Sequence, residues 1–340
     1  MNHGRPKIVV TNPVERGWLD VLEPHAELYV NAGPHPWPRR DLIKYSRDAF
    51  GLIAFMTDSV DEDFLRDCPD LRIVACALKG YDNFDVDACT RRGVWLTIVP
   101  DLLVAATADL AMALLLGLAR NLLQADRFVR LGRHEGWRPM FFGRGLSGAT
   151  VGLIGMGALG WAIAERLRGF DCRTRYYDTS PLLRDDERKL ELSYVQLDSL
   201  IAGSDVIILA LPLSKDTLHL IDGRRLSLIK PGCLLINPAR GSLVDEEAVA
   251  DALEAGALGG YAADVFAFED RAFVPHSGPI PDRLISNDRQ TLFTPHLGSA
   301  IATVRQAITT EAALNVLDTI QGRRPRGAIN DVSDRQEGGT

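Results

Sequence analysis

The sequence is poor in the features that mark several classes of protein. It has only five cysteines among 340 residues, and none stands in a C-x-x-C pair or in another spacing typical of a metal site. Its N-terminal PKIVVTNPV reads as a first β-strand and lacks the long apolar core and the cleavage site of a signal peptide. We therefore expect reduced thiols, no bound metal and a cytoplasmic protein.

Excess positive charge and long uncharged apolar runs are also missing. The formal net charge of −7 argues against non-specific binding of nucleic acid. The longest apolar stretch, residues 102–119, contains Asp109 and predicts a buried helix rather than a membrane span. We expect neither a nucleic-acid nor a membrane partner, and an anionic substrate would need a local positive field.

Strand-like and helix-like runs alternate along the chain in two series. The strand-like runs of the first hundred residues are KIVVT, AELYV, GLIAFM, LRIVACAL and VWLTIV, and those of the second series are VGLIGM, CRTRYYD, VIILALP, CLLINPA, YAADVF and TLFTPH. Segments of helical length lie between or beside them, at residues 39–49, 60–68, 102–119 and 300–320. This alternation predicts parallel sheets with helices on both faces. The length predicts two such α/β domains, and the simplest architecture for the two series has one domain inserted into the other.

A glycine-rich turn opens the second series. Residues 151–160 read VGLIGMGALG, a strand followed by the G-x-G-x-x-G pattern of a dinucleotide-binding fold. In that pattern Gly155 permits the tight turn, Gly157 lets a pyrophosphate approach the backbone, and Gly160 allows close packing of helix on strand. The helix that begins at Ala158 would offer free N–H groups to the pyrophosphate.

An acidic residue stands about 20 residues beyond these glycines, where a carboxylate pairs with the adenosine ribose. This residue, Asp178, ends the strand-like RTRYY and is followed by Thr179, Ser180 and Pro181. No arginine follows at once to hold a 2′-phosphate, so the sequence favours NAD over NADP. The alternative is that Asp178 is an ordinary turn residue at a strand end.

Three further polar residues follow predicted strands of the second series. Arg240 lies in NPARGSLVDEEAV, Glu269 follows YAADVF, and His296 ends TLFTPH. Ligands of open α/β sheets bind at the carboxyl ends of the strands. A histidine held by a carboxylate is a poised acid or base, and an arginine clamps an oxyanion with two donors. The alternatives are a salt bridge of Arg240 with Asp245 or Glu246, a charged loop at Glu269, and a purely structural His296.

The segments GLIGMGALG, INPARGSLVDEEAVADAL, GGYAADVF and TPHLGSA resemble the D-2-hydroxyacid dehydrogenase family over nearly the whole chain. The resemblance implies a Rossmann NAD-binding domain at residues 103–295, inserted into a flavodoxin-like substrate domain at 1–102 and 296–330. The polar residues 331–340, DVSDRQEGGT, predict a flexible tail. The family resemblance implies a homodimer and the catalytic set Arg240, Glu269 and His296. It also implies cofactor contacts from the glycines and Asp178, from Asp264 at the nicotinamide carboxamide, and from Ala158, Leu159, Ala210, Pro212, Ala239, His296, Gly298 and Ser299.

The first half is more similar to the phosphite (phosphonate) dehydrogenase branch of that family. The resemblance lies in VACALKGYDNFDVDAC, where Lys79 replaces the small or apolar residue of most hydroxyacid members, and in the surroundings of Met56, Trp137 and Arg305. Phe142 stands where the branch tends to have tyrosine. The alternative for Lys79 is a solvated loop lysine.

We predict an NAD-dependent phosphite dehydrogenase, which converts phosphite, NAD and water into phosphate and NADH. Phosphite is a dianion near neutral pH, and a cage of Lys79, Arg240 and Arg305 would offset the cost of desolvating it. His296, oriented by Glu269, would activate water, or would only orient the substrate while another group activates water. Met56 and Arg305 would be second-rank contacts, and Trp137 would reach the site from a partner subunit. The alternatives are a D-2-hydroxyacid dehydrogenase or glyoxylate-type reductase and a non-catalytic NAD-sensing scaffold.

Overall fold

The structure is a computed structural model that describes residues 4–15, 17–274 and 278–332. The chain divides into two compact units. One comprises Met1–Leu103 with Ile301–Thr340, and the other is Val104–Ala300. Each unit has its own parallel sheet, which confirms the prediction of two α/β folds.

The first unit contains a five-stranded parallel sheet. Its strands are β1 (Lys7–Val10), β2 (Glu27–Val30), β3 (Gly51–Ala54), β4 (Ile73–Cys76) and β5 (Trp95–Thr97). They lie in the order β2-β1-β3-β4-β5, which is the flavodoxin-like order and confirms that part of the prediction. The helices of this unit are α1 (Arg39–Ser46), α2 (Glu62–Asp67), α3 (Val86–Arg92), the 3-10 turn Asp101–Leu103 and the long helix Ala302–Ile320.

Local sequence explains these elements. Every residue of β3 and β4 is buried, as expected for central strands that helices cover on both faces. The side chains of Asp61 and Asp85 accept hydrogen bonds from the N–H groups of Phe64 and Ala88, which caps α2 and α3. Gly93 ends α3 in the left-handed conformation that glycine adopts without strain.

The second unit contains a seven-stranded parallel sheet. Its strands are β6 (Thr150–Ile154), β7 (Arg173–Tyr177), β8 (Leu192–Tyr194), β9 (Val206–Leu209), β10 (Cys233–Asn237), β11 (Leu258–Ala263) and β12 (Thr291–Phe293). The order β12-β11-β10-β9-β6-β7-β8 is the Rossmann order with one added strand. Its helices are α4 (Val104–Ala119), α5 (Leu122–Arg130), α6 (Ala158–Leu167), α7 (Arg184–Leu190), α8 (Leu197–Gly203), α9 (Gly223–Leu226), α10 (Glu246–Glu254) and α11 (Asp282–Ser286), with 3-10 turns at Arg168–Phe170, Gly241–Leu243 and Ala267–Glu269.

The long apolar segment is a core helix of the second unit. The helical stretch Asp101–Ala119 is long and apolar enough to cross a membrane by length and composition alone. However, α4 packs into the hydrophobic core with β6 and α6, and ten of its residues are buried. Asp109 forms an ion pair with Arg166 of α6 at 2.6 Å. The expectation of a buried helix is therefore confirmed.

The boundary after β12 differs from the predicted one. The sequence analysis assigns His296 to the substrate domain, as the first residue of its second segment, 296–330. In the structure, the second unit extends to Ala300 and therefore includes His296. The reason is local, because His296 N–H donates to the carbonyl of Asp264, and the Asp264 carboxylate accepts from Leu297 N–H and Gly298 N–H. Most of the predicted tail, residues 333–340, lies outside the described residues.

Candidate active site

The predicted site residues of the second unit lie at one edge of its sheet. The glycine turn follows β6, Asp178 follows β7, Ala210 and Pro212 follow β9, Ala239 and Arg240 follow β10, Asp264 and Glu269 follow β11, and His296, Gly298 and Ser299 follow β12. Because these strands are parallel, their carboxyl ends share an edge, where ligands of such sheets bind.

The glycine turn has the shape that the sequence pattern predicts. Gly155 has φ +96°, and a Cβ there would lie 2.5 Å from the backbone oxygen of Ala210. A Cβ on Gly160 would lie 2.2 Å from the oxygen of Gly155, so helix α6 packs directly on the turn. At Gly157 a Cβ would meet no heavy atom within 4 Å. The turn is thus closed beneath Gly155 and Gly160 and open at Gly157, where a pyrophosphate would approach.

Asp178 lies against the same turn. Its Oδ2 accepts from Met156 N–H at 2.7 Å, and its Oδ1 accepts from Ser180 N–H at 3.0 Å. The carboxylate therefore has a fixed place beside the N-terminus of α6, whose first turn contains Ala158 and Leu159. Together with the open backbone at Gly157, this arrangement fits a dinucleotide with an unphosphorylated ribose.

His296 and Glu269 form a close pair. The distance from His296 Nδ1 to Glu269 Oε2 is 2.6 Å, and the two side chains are 30% and 19% exposed. The other oxygen of Glu269, Oε1, accepts from Phe266 N–H at 2.8 Å, which fixes the carboxylate. Glu269 thereby holds one ring nitrogen of His296 and leaves Nε2 for proton exchange with a ligand.

His296 sits in a strained turn that Asp264 holds. Its φ is +56°, a left-handed value uncommon for residues other than glycine. Asp264, 1% exposed, accepts from Thr294 Oγ1 and Leu297 N–H through Oδ1 and from Gly298 N–H through Oδ2. Burial raises the pKa of Asp264, although these hydrogen bonds oppose the rise. Asp264, expected at the nicotinamide, is therefore also the support of the His296 turn.

Arg240 lies on a loop that is held by hydrogen bonds with the side chain of Asn237. Buried Asn237 donates from Nδ2 to the Arg240 carbonyl at 2.8 Å, and its Oδ1 accepts from Ala239 N–H at 3.2 Å. Arg240 Nη1 donates to the Ala239 carbonyl at 2.8 Å. The Asn237 side chain therefore fixes the loop that carries Arg240 at the ligand-binding edge of the sheet.

Glu246 is not among the predicted site residues. It follows the Arg240 loop in the first turn of α10, and its Oε1 accepts from Ala267 N–H at 2.9 Å. Burial, with the nearby carboxylates of Asp270 and Glu269, raises the pKa of Glu246 to about 7. Nothing in the sequence separates it from its neighbour Glu247, which pairs with Arg283 in the exposed surface.

Two predicted residues of the first unit, Met56 and Lys79, also follow strands, whereas Arg305 lies in the helix Ala302–Ile320. Lys79 lies beyond β4, half-buried, and its Nζ is 2.6 Å from Asp101 Oδ1. Met56 lies beyond β3, next to Phe55, and the guanidinium carbon of Arg305 stands 5.6 Å from the centre of the Phe55 ring. Burial lowers the pKa of Arg305. Lys79 is thus an ion-paired lysine rather than a fully solvated one.

Trp137 and Phe142 lie between α5 and β6 and are 87% and 84% exposed. Other large apolar side chains of the same region are also exposed, namely Leu122, Leu123, Val129, Leu131 and Phe141. Phe141 packs edge-on against Phe128, whereas Trp137 extends into solvent. The second unit therefore presents several exposed apolar side chains, interspersed with charged ones, along residues 122–142.

The sequence matches a known protein family and several known proteins over most of its length. The family described as D-isomer specific 2-hydroxyacid dehydrogenase, NAD binding domain, matches residues 112–298. A glyoxylate reductase of Thermococcus litoralis is 35% identical over 96% of this chain and 97% of its own.

Two crystal structures resemble the whole chain. A protein from Thermus thermophilus superposes with a TM-score of 0.86 and 34% identity, covering 95% of this chain and 99% of its own. An NADPH-dependent glyoxylate/hydroxypyruvate reductase from Sinorhizobium meliloti, solved with NADP and malonate, has a TM-score of 0.82 and 29% identity, covering 96% of this chain and 97% of its own.

Proposed function

This chain belongs to the D-isomer specific 2-hydroxyacid dehydrogenase family, and we propose that it is an NAD-dependent reductase of small 2-oxo acids, of the glyoxylate-reductase kind. The pair of His296 Nδ1 and Glu269 Oε2 at 2.6 Å carries the proposal, because it places an acid–base group at the ligand edge of an NAD-binding unit. Relatives named glyoxylate reductase that match over almost their full length support this substrate class over phosphite.

The proposed reaction converts glyoxylate, NADH and a proton into glycolate and NAD. NADH, when bound, supplies the hydride that reduces the carbonyl carbon. The side chain of His296 donates the proton from Nε2 to the carbonyl oxygen, while Glu269 holds the proton on Nδ1. Arg240 binds the substrate carboxylate with two parallel hydrogen bonds and so orients the carbonyl.

Phosphite oxidation is the second candidate, and the cations of the first unit favour it. Lys79 and Arg305 would serve as contacts for a dianion, and Met56 as an apolar wall. However, Lys79 forms an ion pair with Asp101 at 2.6 Å, and a bound anion would have to compete with that carboxylate. In this reaction hydride leaves phosphorus for NAD as water attacks. His296 then acts as the base on water or only as an orienting group.

One assay at 340 nm separates the candidates. We expect loss of NADH with glyoxylate or hydroxypyruvate and appearance of NADH with D-glycerate. NADH formation with phosphite alone would reject the first candidate in favour of the second, and Lys79→Ala should then abolish turnover. NAD binding without turnover of any of these compounds would contradict both and favour a non-catalytic scaffold.

Cofactor choice is tested at Asp178. Asp178→Ala should lower kcat/KM for NADH about 10- to 100-fold, since a charged hydrogen bond to the ribose is lost. It should also improve the use of NADPH, because the carboxylate no longer repels the 2′-phosphate. The matched control is Asp185→Ala on α7, where the carboxylate is 90% exposed. Equal losses in the two variants would contradict a role of Asp178 at the ribose.

We further propose that the protein is a cytoplasmic homodimer. The exposed apolar side chains of residues 122–142 support a second copy as partner, because monomers rarely expose so many large apolar groups in one region. Trp137 would then approach the active site of the partner subunit. Sedimentation velocity should give a dimer, and a monomer at micromolar concentration would contradict this proposal.

A further inference from the structure

The loops that carry Arg240 and Glu269 touch backbone to backbone. A Cβ on Gly241 would lie 1.9 Å from the carbonyl carbon of Phe266 and 2.2 Å from Ala267 N. No side chain fits between the two loops there. The spacing between the Arg240 loop and the Glu269 loop is therefore set by direct contact at Gly241.

Two carboxylates bridge the same pair of loops in opposite directions. Asp270, 2% exposed, reaches from the Glu269 loop and accepts from Ser242 N–H at 2.8 Å. Glu246 reaches from the helix after the Arg240 loop and accepts from Ala267 N–H at 2.9 Å. Asp270 thus binds a backbone N–H group of the Arg240 loop, and Glu246, from helix α10, binds one of the Glu269 loop.

The bridge from Glu246 meets the segment that orients Glu269. The N–H groups of Phe266 and Ala267 are consecutive, and the first binds Glu269 Oε1 while the second binds Glu246 Oε1. The turn that aims Glu269 at His296 is therefore fixed from both sides. Loss of the Ala267 bond would loosen the peptide that adjoins the support of Glu269, although the contact at Gly241 and the bond from Ser242 to Asp270 would remain.

The charged surroundings of Glu246 indicate that its hydrogen bond with Ala267 N–H has a specific structural role. Glu246 faces the carboxylates of Glu269 and Asp270, with Glu247 on its own helix, and burial raises its pKa to about 7. Placing a third carboxyl group beside two others is costly unless it makes a specific contact. A leucine of similar volume would avoid this cost but would leave the N–H of Ala267 without an acceptor.

We propose that Glu246 is a positioning residue that holds the Phe266–Ala267 peptide and so keeps Glu269 aligned with His296 and in register with Arg240. The inference rests on the proposed function, because it assigns a support to the same three residues. It goes beyond that function in one respect. The reach of the Glu246 side chain, meaning the length that lets its oxygen bind Ala267 N–H, is the property that keeps Glu269 aligned, and its charge is not.

Two substitutions separate reach from charge. Glu246→Asp keeps the charge but is one methylene too short to bind Ala267 N–H. Glu246→Gln loses the charge but keeps an oxygen acceptor at the same reach. We expect kcat, with whichever substrate the wild type turns over, to fall about 10- to 100-fold in Glu246→Asp and to stay within about threefold of the wild type in Glu246→Gln.

The dissociation constant for NADH should change less than twofold in both variants, because the contact lies away from the glycine turn. Glu247→Gln is the matched control, since Glu247 is adjacent on α10 but pairs outward with Arg283. Loss of kcat in Glu246→Gln with retention in Glu246→Asp would overturn the proposal, and so would wild-type kcat in both.

Amide hydrogen exchange provides a measurement that does not need turnover. Exchange at Ala267 should accelerate at least tenfold in Glu246→Asp and remain slow in Glu246→Gln and Glu247→Gln. Unchanged exchange in Glu246→Asp would overturn the inference even in an active enzyme. Absence of wild-type turnover with every substrate would instead reject the proposed function, and the exchange result would still decide whether Glu246 holds the peptide.

Discussion

His296→Asn should lower kcat for the reduction of glyoxylate about 10²- to 10⁴-fold, the range expected when a general acid is removed. Asparagine is the appropriate replacement because it tolerates the left-handed backbone at φ +56° and keeps the turn on Asp264. The dissociation constant for NADH should change little, since the glycine turn and Asp178 are untouched. Steady-state rates at saturating substrate and a fluorescence titration with NADH measure the two quantities.

A second histidine provides a matched control for this substitution. His219 also has a left-handed backbone, with φ +48°, and lies in the same unit on an exposed loop. Its N–H donates to the carbonyl of Ser242, a bond that asparagine would keep. His219→Asn should therefore keep kcat near the wild-type value. Equal slowing in the two variants, or a loss below tenfold in His296→Asn, would contradict acid catalysis by His296.

Much of the fold could be predicted from hydrophobic patterning. Eleven of the twelve strands in the described residues correspond to strand-like runs recognised in the sequence, chiefly because central parallel strands are buried on both faces. The strand that the sequence does not reveal, β8 (Leu192–Tyr194), is only three residues long, too short to form a recognisable run. Edge strands of this kind depend on pairing with a neighbour, here β7, rather than on their own composition.

The candidate site was predictable where it depends on strand ends and not where it depends on contacts. Arg240, Glu269 and His296 follow strands, so parallel topology alone places them at one edge. The hydrogen bonds that support these residues could not be predicted in this way. Nothing in the segment VDEEAV indicates that the side chain of Glu246 points inward and that of Glu247 outward. The pair of Lys79 and Asp101 joins residues 22 positions apart and equally leaves no local signal. The charge of Lys79 is visible in the sequence, but its ion pair with Asp101 is not.

The largest effect on substrate recognition is expected at Arg240. Arg240→Ala should lower kcat/KM for glyoxylate about 30- to 4000-fold, which corresponds to the roughly 2–5 kcal/mol lost when one partner of a desolvated, hydrogen-bonded charge pair is truncated. Most of the loss should appear in KM, since Arg240 binds the carboxylate in the ground state as well as in the transition state. Arg240→Lys should recover only part of it, because an ammonium group cannot form two parallel hydrogen bonds with a carboxylate.

The loop that carries residue 240 should keep its conformation in Arg240→Ala, so the loss of kcat/KM can be attributed to the missing side chain. The backbone of residue 240 remains bound to Asn237, and Gly241 remains packed on Phe266. Arg224→Ala on α9 is the control, since that arginine pairs with Asp198 in an exposed position. Added methylguanidinium should restore part of the activity of Arg240→Ala by occupying the vacated volume. A variant with normal KM, or one that guanidinium cannot improve while its fold is unchanged by circular dichroism, would show that Arg240 is not the carboxylate clamp.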